Sequence, residues 1–374
     1  MISAKEILKS HNKFLIKLGL ERIQSILELL NNPQNNYKVI HIAGTNGKGS
    51  TSKIINDILI EKGYKTGLFT SPHIFEYEER IKVNNEDIST YVFDKLTNTI
   101  DDLAHKNNIE LSEFELLCAV AFYYFYAKNV DWVVLETGLG GLYDATNVVN
   151  SEYCAITSID FDHTERLGTK IEDIAIQKAG IIKPNSKVAV NPNNKGYEII
   201  KKASSALLEI PDIEEYKENF NLKGKHQFEN LSLALAIAND LKIKPEIIKK
   251  AISKVEWKYR LEYDKEKNLL IDCAHNPSGI QTLRNYLDEN FKDEKKIFIF
   301  GCLKNKDCNE MLSILLKEGD ELYFNEFDYP SALKFEDLNK KFNAKKLENF
   351  KDILERKELK VVCGSIYMLS TLLR

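Results

Sequence analysis

The sequence predicts an α/β protein with two mostly parallel sheets, a larger amino-terminal one flanked by helices and a smaller carboxyl-terminal one. Three observations carry this. Short apolar runs, among them Val39 to Ala43, Asp131 to Glu136, Tyr153 to Ile159 and Lys187 to Val190, alternate with stretches of helical period, the pattern of parallel strands joined by helical crossovers. The first run breaks into Gly44-Thr45-Asn46-Gly47-Lys48-Gly49-Ser50, a glycine-rich turn that opens a helix. Finally, Glu256 to Tyr263 has no clear period and precedes a fresh strand, so the chain divides near residue 258 into domains 1–258 and 259–374.

In order along the chain, the first thirty or so residues read as helix, with Ile7, Leu8, Ile23, Ile26, Leu27 and Leu30 at helical spacing, closed by Asn31-Asn32-Pro33. After the opening strand and its loop, Ser50 to Glu61 continues as a helix that Gly63 stops, and Lys65 to Thr70 is a second strand, completing a βαβ unit. Ser71 to Asn85 is polar and aromatic without period and reads as a long surface loop. Helices are expected at about Ile88 to Lys106, Glu113 to Lys128 and Lys170 to Ala179, with two or three more reaching to about Val255. Beyond the boundary, strands at 268–273, 296–301, 321–325 and 360–363 alternate with helices at 278–291, 309–317, 335–342 and 365–373.

Composition excludes several classes of function. A net charge of -4 with interspersed signs leaves no basic footprint for nucleic acid. The most apolar segment, Leu116 to Ala127, is well short of the roughly 20 residues a spanning helix needs, and it reads as a buried helix. Met1 to Glu6 lacks the charged-then-apolar build of a secretion signal, so a cytoplasmic protein without membrane attachment is expected. The six cysteines are scattered through apolar runs and read as reduced core thiols rather than a disulfide or zinc framework.

The chemistry begins at the glycine-rich turn. A strand that ends in such a turn before a helix points several backbone N–H groups and the positive helix end at one place, where phosphate binds well. Lys48 adds a mobile positive charge there. The turn departs twice from the usual G-x-x-x-x-G-K-[ST] loop: Gly44 lies only three residues before Gly47, and Gly49 stands where a metal-binding hydroxyl is usual. A metal must therefore find oxygen ligands elsewhere. Other polar residues fall at predicted strand ends: Ser71, Glu136 and His163. Each has a plainer reading, Ser71 as a turn residue before Pro72, Glu136 as a solvated strand end and His163 as a core histidine.

Eight ordered blocks give the chain a wider resemblance. They are His41 to Ser50; Ser71-Pro72-His73 with Glu79-Arg80-Ile81; Glu136 to Gly141 with Asp144-Ala145-Thr146-Asn147; Asp162-His163-Thr164 with Leu167-Gly168; Gln177 to Lys183; His226-Gln227 with Asn230; Asp272 to Pro277; and Gly364-Ser365. Through them the sequence resembles the folylpolyglutamate synthases and bifunctional dihydrofolate synthases, within the Mur-ligase-like amide synthetases. The resemblance implies a P-loop ATPase-type amino-terminal domain and a Rossmann-like, glutamate-binding carboxyl-terminal domain. It also implies a monomeric enzyme that uses ATP and magnesium, two ions in all, to join L-glutamate to 7,8-dihydropteroate or a reduced folate through an acyl phosphate. A carboxylate oxygen is a poor leaving group, and phosphorylation makes it a good one.

By the same resemblance, Gly44, Thr45, Asn46, Gly47, Lys48, Gly49 and Ser50 cradle the phosphates, with Lys48 reaching the β- and γ-phosphates. Ser71, Glu136 and His163 hold magnesium. Lys178, in the plainer reading a solvated helix lysine, serves a second metal as its carbamate, since an ammonium cannot bind a cation. Asn230, Arg260 and Asp272 lie near the nucleotide, and His275 and Ser365 near glutamate. Asp272 read alone is a possible helix cap, and Arg260 an exposed linker residue. Arg80, with Phe75 and Tyr77, covers the pterin and its carboxylate, or else pins down its own loop. Two departures from the family stand out: Lys258-Tyr259 replaces Pro-Gly before Arg260, and Leu142 replaces an arginine after Gly140-Gly141. Two other functions remain open on the sequence, a related amide ligase acting on a cell-wall precursor and a nucleotide-binding switch without ligase activity.

Overall fold

Val39, Ile40 and Ile42 are β-branched residues buried on both faces of a strand, which is the environment of a central parallel strand. The computed structural model, which describes residues 2–11 and 19–374, places that strand, β1 (Lys38–Ala43), in the middle of an eight-stranded sheet. Its partners are β2 (Thr66–Phe69), β3 (Ile81–Val83), β4 (Glu86–Asp87), β5 (Trp132–Glu136), β6 (Tyr153–Ile156), β7 (Lys187–Val190) and β8 (Ala206–Leu207). The order is β4-β3-β2-β5-β1-β6-β7-β8, parallel from β2 to β8 and antiparallel at the β3 and β4 edge. The register sets Ile42 level with Glu136 and Ala43 level with Ile156, so β5, β1 and β6 deliver their carboxyl ends together. Ligands bind at that edge of open α/β sheets.

Helices cover the sheet. Lys48–Glu61 packs on β1, β2 and β5. Glu113–Ala127 begins with a capping box, Ser112 accepting from the Glu115 backbone N–H and Glu115 accepting from that of Ser112, and is buried along most of its length. Among the described residues no helix is long and apolar enough to cross a membrane. All six cysteines are free, and all but Cys308 are buried.

By its internal contacts the chain forms two compact units, residues 1–221 with 228–255, and residues 222–227 with 256–374. The second holds a six-stranded sheet of β9 (Glu262–Asp264), β10 (Leu269–Ile271), β11 (Lys296–Phe300), β12 (Glu321–Phe324), β13 (Lys345–Lys346) and β14 (Leu359–Cys363). Its order is β13-β12-β11-β14-β10-β9, parallel except at β9. Two lysines are buried at the amino-terminal ends of its strands. Lys296 Nζ donates to the carbonyls of Phe291 and Glu294, each at 2.7 Å, and Lys360 Nζ donates to that of Arg356.

Four expectations need correction. The amino-terminal helix is two, Ala4–Ser10 and Glu21–Leu29, and residues 12–18 of the expected span lie outside the described residues. Ser71 to Asn85 is not simply a surface loop: it holds a 3-10 turn, Tyr77–Arg80, and β3, with Tyr77, Arg80 and Ile81 buried. Five strands absent from the sequence expectation, β3, β4, β8, β9 and β13, have only two or three residues each, too few to show a period. The helix expected at 335–342 is two 3-10 turns, Phe335–Asp337 and Lys340–Phe342, because Leu338 is extended and the Asn339 side chain accepts from the Lys341 backbone N–H, restarting the chain.

Candidate active site

The glycine-rich turn leaves β1 at Ala43 and enters the helix Lys48–Glu61 at Gly47, whose φ of 86° belongs to the left-handed region that glycine tolerates. No side chain caps that helix, so its first N–H groups remain directed at the turn. The turn is pinned from β6. Thr45 N–H donates to the Ser158 carbonyl at 2.7 Å, Asn46 N–H to Ser158 Oγ at 2.9 Å, and Thr157 Oγ1 to the Asn46 carbonyl at 2.7 Å. A Cβ on Gly44 would stand 1.7 Å from Thr157 Oγ1, and one on Gly47 2.3 Å from Asn230 Oδ1. Asn230 also accepts from Thr51 Oγ1 at 3.2 Å, so it braces the helix start. Lys48 is half-buried, with Nζ donating to the Thr45 carbonyl at 3.3 Å. Gly49 and the buried Ser50 complete the first turn. The uncapped helix start, the glycines and Lys48 fit the phosphates of a nucleotide.

Glu136 ends β5 and is 4% exposed, which removes the solvated reading. Its Oε2 accepts from the Ser71 backbone N–H at 3.0 Å, so the structure brings Ser71 and Glu136 together at the ends of adjacent strands. A buried carboxylate beside a hydroxyl is a fitting oxygen donor pair for magnesium. His163 is no core histidine: its side chain is 35% exposed and its φ is 50°. Its ring nitrogens lie 3.9 Å from Asp162 and 3.8 Å from Glu165. Among the described residues no three His, Cys, Asp or Glu side chains form a ready-made cation cluster.

Lys178 is 3% exposed on the last turn of the helix Ile171–Ala179, not solvated. Its Nζ donates to the Gly44 carbonyl at 2.7 Å, which ties this helix to the phosphate turn. Burial, with Lys48 nearby, pushes the ammonium down to about 7, against the opposing pull of Asp162 and Asp144. Burial thus favours the neutral amine, the form that reacts with carbon dioxide.

Arg80 is 7% exposed and held within its own loop: Nε donates to His73 Nδ1 at 2.9 Å, and the guanidinium lies 5.6 Å from the Tyr77 ring centroid. Tyr77 OH donates to Glu113 at 2.9 Å, and Glu79 accepts from the backbone N–H groups of Ile74, Phe75 and Glu76. The loop is therefore a built surface. Leu142 packs against Gly180, where a Cβ would stand 2.5 Å from its own.

In the second unit, Asp272 does not cap the following helix; Asn276 does, accepting from Gly279 N–H at 2.8 Å. Asp272 instead accepts from the N–H groups of Leu261 at 2.9 Å and Ala274 at 2.8 Å. Burial raises its carboxyl, opposed by the Arg260 guanidinium, and the same guanidinium adds to burial in lowering His226 to about 4. Arg260, half-buried between Tyr259 and Leu261, both at positive φ, thus turns toward this group. His275 Nδ1 lies 2.9 Å from the Cys273 carbonyl and must donate there, so in the neutral ring Nε2 is an acceptor. Ser365 is buried where β14 gives way to the helix Ile366–Leu372. His275 and Ser365 follow the neighbouring strands β10 and β14.

One polar chain escaped the sequence reading. His41, fully buried on β1, lies with Nε2 2.9 Å from Thr146 Oγ1, and Thr146 donates on to Asp144. Asp144 also accepts from Leu139 N–H at 2.7 Å, organising the turn after Glu136. The His41–Thr146 contact spans more than 100 residues of chain, and its signal in the sequence is a polar residue inside an apolar strand. His41 Nδ1 is buried without a partner among the described residues, and burial, with Lys183, lowers the imidazole to about 3. The unfolded chain takes up this proton near 6.5 and the folded one does not, so stability falls as pH drops from about 6.5 toward 3, by on the order of 5 kcal/mol in all. Denaturant titrations should show His41→Gln losing less stability than the parent over that range. Parallel losses would remove His41 from the acid response.

Known proteins show the same order of parts. The family model for the Mur ligase middle domain matches residues 42–210, and that for the dihydrofolate synthetase C-terminal domain matches residues 255–335. Dihydrofolate synthetase of Saccharomyces cerevisiae is 31% identical, covering 96% of this chain and 98% of its own. Dihydrofolate synthase/folylpolyglutamate synthase of Bacillus subtilis is also 31% identical, covering 96% and 95%. Among solved structures, E. coli FolC in complex with DHPP and ADP has a TM-score of 0.88 at 26% identity, covering 100% of this chain and 97% of that one. The Yersinia pestis bifunctional folylpolyglutamate synthase/dihydrofolate synthase complexed with AMPPNP and Mn ion has a TM-score of 0.86 at 26% identity, covering 99% and 97%. With likeness at this level running from one end of the sequence to the other, the chain belongs to the dihydrofolate synthase/folylpolyglutamate synthase family of ATP-dependent ligases.

Proposed function

We propose that this chain joins L-glutamate to 7,8-dihydropteroate, forming dihydrofolate, and to reduced folates, extending a polyglutamate tail, with ATP cleaved at each bond. It does so as a cytoplasmic monomer, its site residues all supplied by one chain, in domains 1–258 for ATP and 259–374 for glutamate. The observation that carries the reading is the gathering of the phosphate turn, Ser71, Glu136 and Lys178 at the carboxyl ends of β1, β2 and β5 and on the helix bonded to that turn.

In this reading the N–H groups of the helix start and Lys48 hold the ATP phosphates and offset charge that spreads over the transferred group. Ser71, Glu136 and His163 hold one magnesium, and Lys178, carbamylated by carbon dioxide with loss of a proton, holds a second. These cations, when bound, supply positive charge against the phosphate oxygens. Asn230, Arg260 and Asp272 orient the nucleotide. Arg80 shapes the loop that covers the pterin and directs its substrate's carboxylate to the γ-phosphorus, ADP leaves, and an acyl phosphate results. His275 Nε2 accepts from the glutamate amine and Ser365 holds the amino acid while the amine displaces phosphate and the amide forms. Exclusion of water during the reaction would protect the acyl phosphate from hydrolysis.

Phosphate release from ATP, measured separately with 7,8-dihydropteroate and with a reduced folate, tests this. Sustained release is expected only when the pterin substrate and glutamate are both present. ATP turnover indifferent to either would overturn the ligase reading in favour of a nucleotide switch.

A further inference from the structure

Asn147 lies within the short turn Ala145–Val148 and is 5% exposed. Its side-chain amide spends both hydrogens on two different elements: Nδ2 donates to the Leu142 carbonyl at 3.0 Å and to the Gly180 carbonyl at 3.0 Å. Leu142 belongs to the turn that follows Glu136, and Gly180 caps the helix that carries Lys178. The two elements are already in close register. Leu142 N–H donates to the Gln177 carbonyl at 2.7 Å, and a Cβ on Gly141 would stand 2.7 Å from that same oxygen and 3.0 Å from the Lys178 carbonyl. Asn147 is held in turn, its N–H donating to the Asp144 carbonyl at 2.8 Å and its own carbonyl accepting from Lys183 Nζ at 3.0 Å.

We propose that Asn147 is a positioning residue for cation binding: its amide sets the spacing between Glu136 and Lys178 by tying the turn after one to the helix end behind the other. This rests on the reading that Glu136 and Lys178 are metal ligands. Helix-end carbonyls lack partners within the helix and need a donor from elsewhere. An amide can serve two such carbonyls at once, whereas an aspartate of the same shape would turn carboxylate oxygens toward both. Outer residues that orient metal ligands change metal affinity by about 10- to 100-fold when altered.

The test is Mn2+ titration of the folded protein with a non-hydrolysable ATP analogue, free Mn2+ being read by electron paramagnetic resonance, so that no turnover is needed. Asn147→Asp is expected to raise the Mn2+ dissociation constant at least about tenfold, with metal-free nucleotide affinity nearly unchanged. Asn147→Ser, which keeps one donor, should fall between it and the parent and decides the matter if Asn147→Asp does not fold. A lowered melting temperature with parental Mn2+ affinity in the folded variants would overturn the proposal, leaving Asn147 a stabilising residue only. Glu136→Gln and Lys178→Ala, titrated alongside, separate the two layers. If they lose Mn2+ while the Asn147 variants keep it, the positioning role alone fails; if they too keep it, the ligand assignment fails and the positioning role with it.

Discussion

Lys48→Ala is expected to lower kcat about a thousandfold or more while leaving the folded protein intact. Neutralising charge on a transferring phosphoryl group is worth several powers of ten when a single cationic donor is removed. The stability side of the argument rests on position. Lys48 is the first residue of its helix, where a positive charge opposes the helix dipole, and its Nζ makes a long bond of 3.3 Å to the Thr45 carbonyl. Alanine there should alter stability by no more than about 0.5 kcal/mol. Binding of the pterin substrate, measured without ATP, should change little. Unchanged ATP-dependent turnover would remove Lys48 from the phosphate site.

Lys178→Ala should cut kcat by a similar factor and regain part of it when formate or acetate is added. The substitution opens a space at the Gly44 carbonyl that a small carboxylate can enter, bringing the anionic oxygens that the carbamate reading assigns to this position. Rescue should rise with carboxylate concentration and then level off, as binding to a site does, and larger carboxylates should do less. No rescue at any concentration, in protein shown to be folded, would refute the carbamate. The parent enzyme has its own check: stripping carbon dioxide and bicarbonate should slow it, and restoring them should return the rate.

Much of the fold was legible because strands of parallel sheets are buried on both faces and read as continuous apolar runs. β1, β5, β7 and β11 stood out for that reason. The exposed edges did not: Glu86–Asp87 and Lys345–Lys346 are charged pairs whose pairing comes from the strand beside them. Tyr77 and Arg80 look like solvent-facing loop residues until Glu113 and His73 are beside them, one of them 36 residues away. At the site, residues at strand ends were legible as a class. The groups that hold them in place, Thr157, Ser158, Thr146 and Asn147, were not, because a hydroxyl or amide says nothing in sequence about which distant carbonyl it meets.

The two buried lysines of the second sheet give its opposite rims different evolutionary fates. Lys296 and Lys360 satisfy carbonyls at the amino-terminal rim, where loss of an ammonium would leave buried oxygens unmatched and raise the fraction of unfolded chain. His275 and Ser365 sit at the other rim, beyond the last residues of β10 and β14. Inherited changes along the first rim will therefore act chiefly on how much enzyme a cell keeps, and changes along the second, where the proposed glutamate contacts lie, are expected to act on how fast each molecule works.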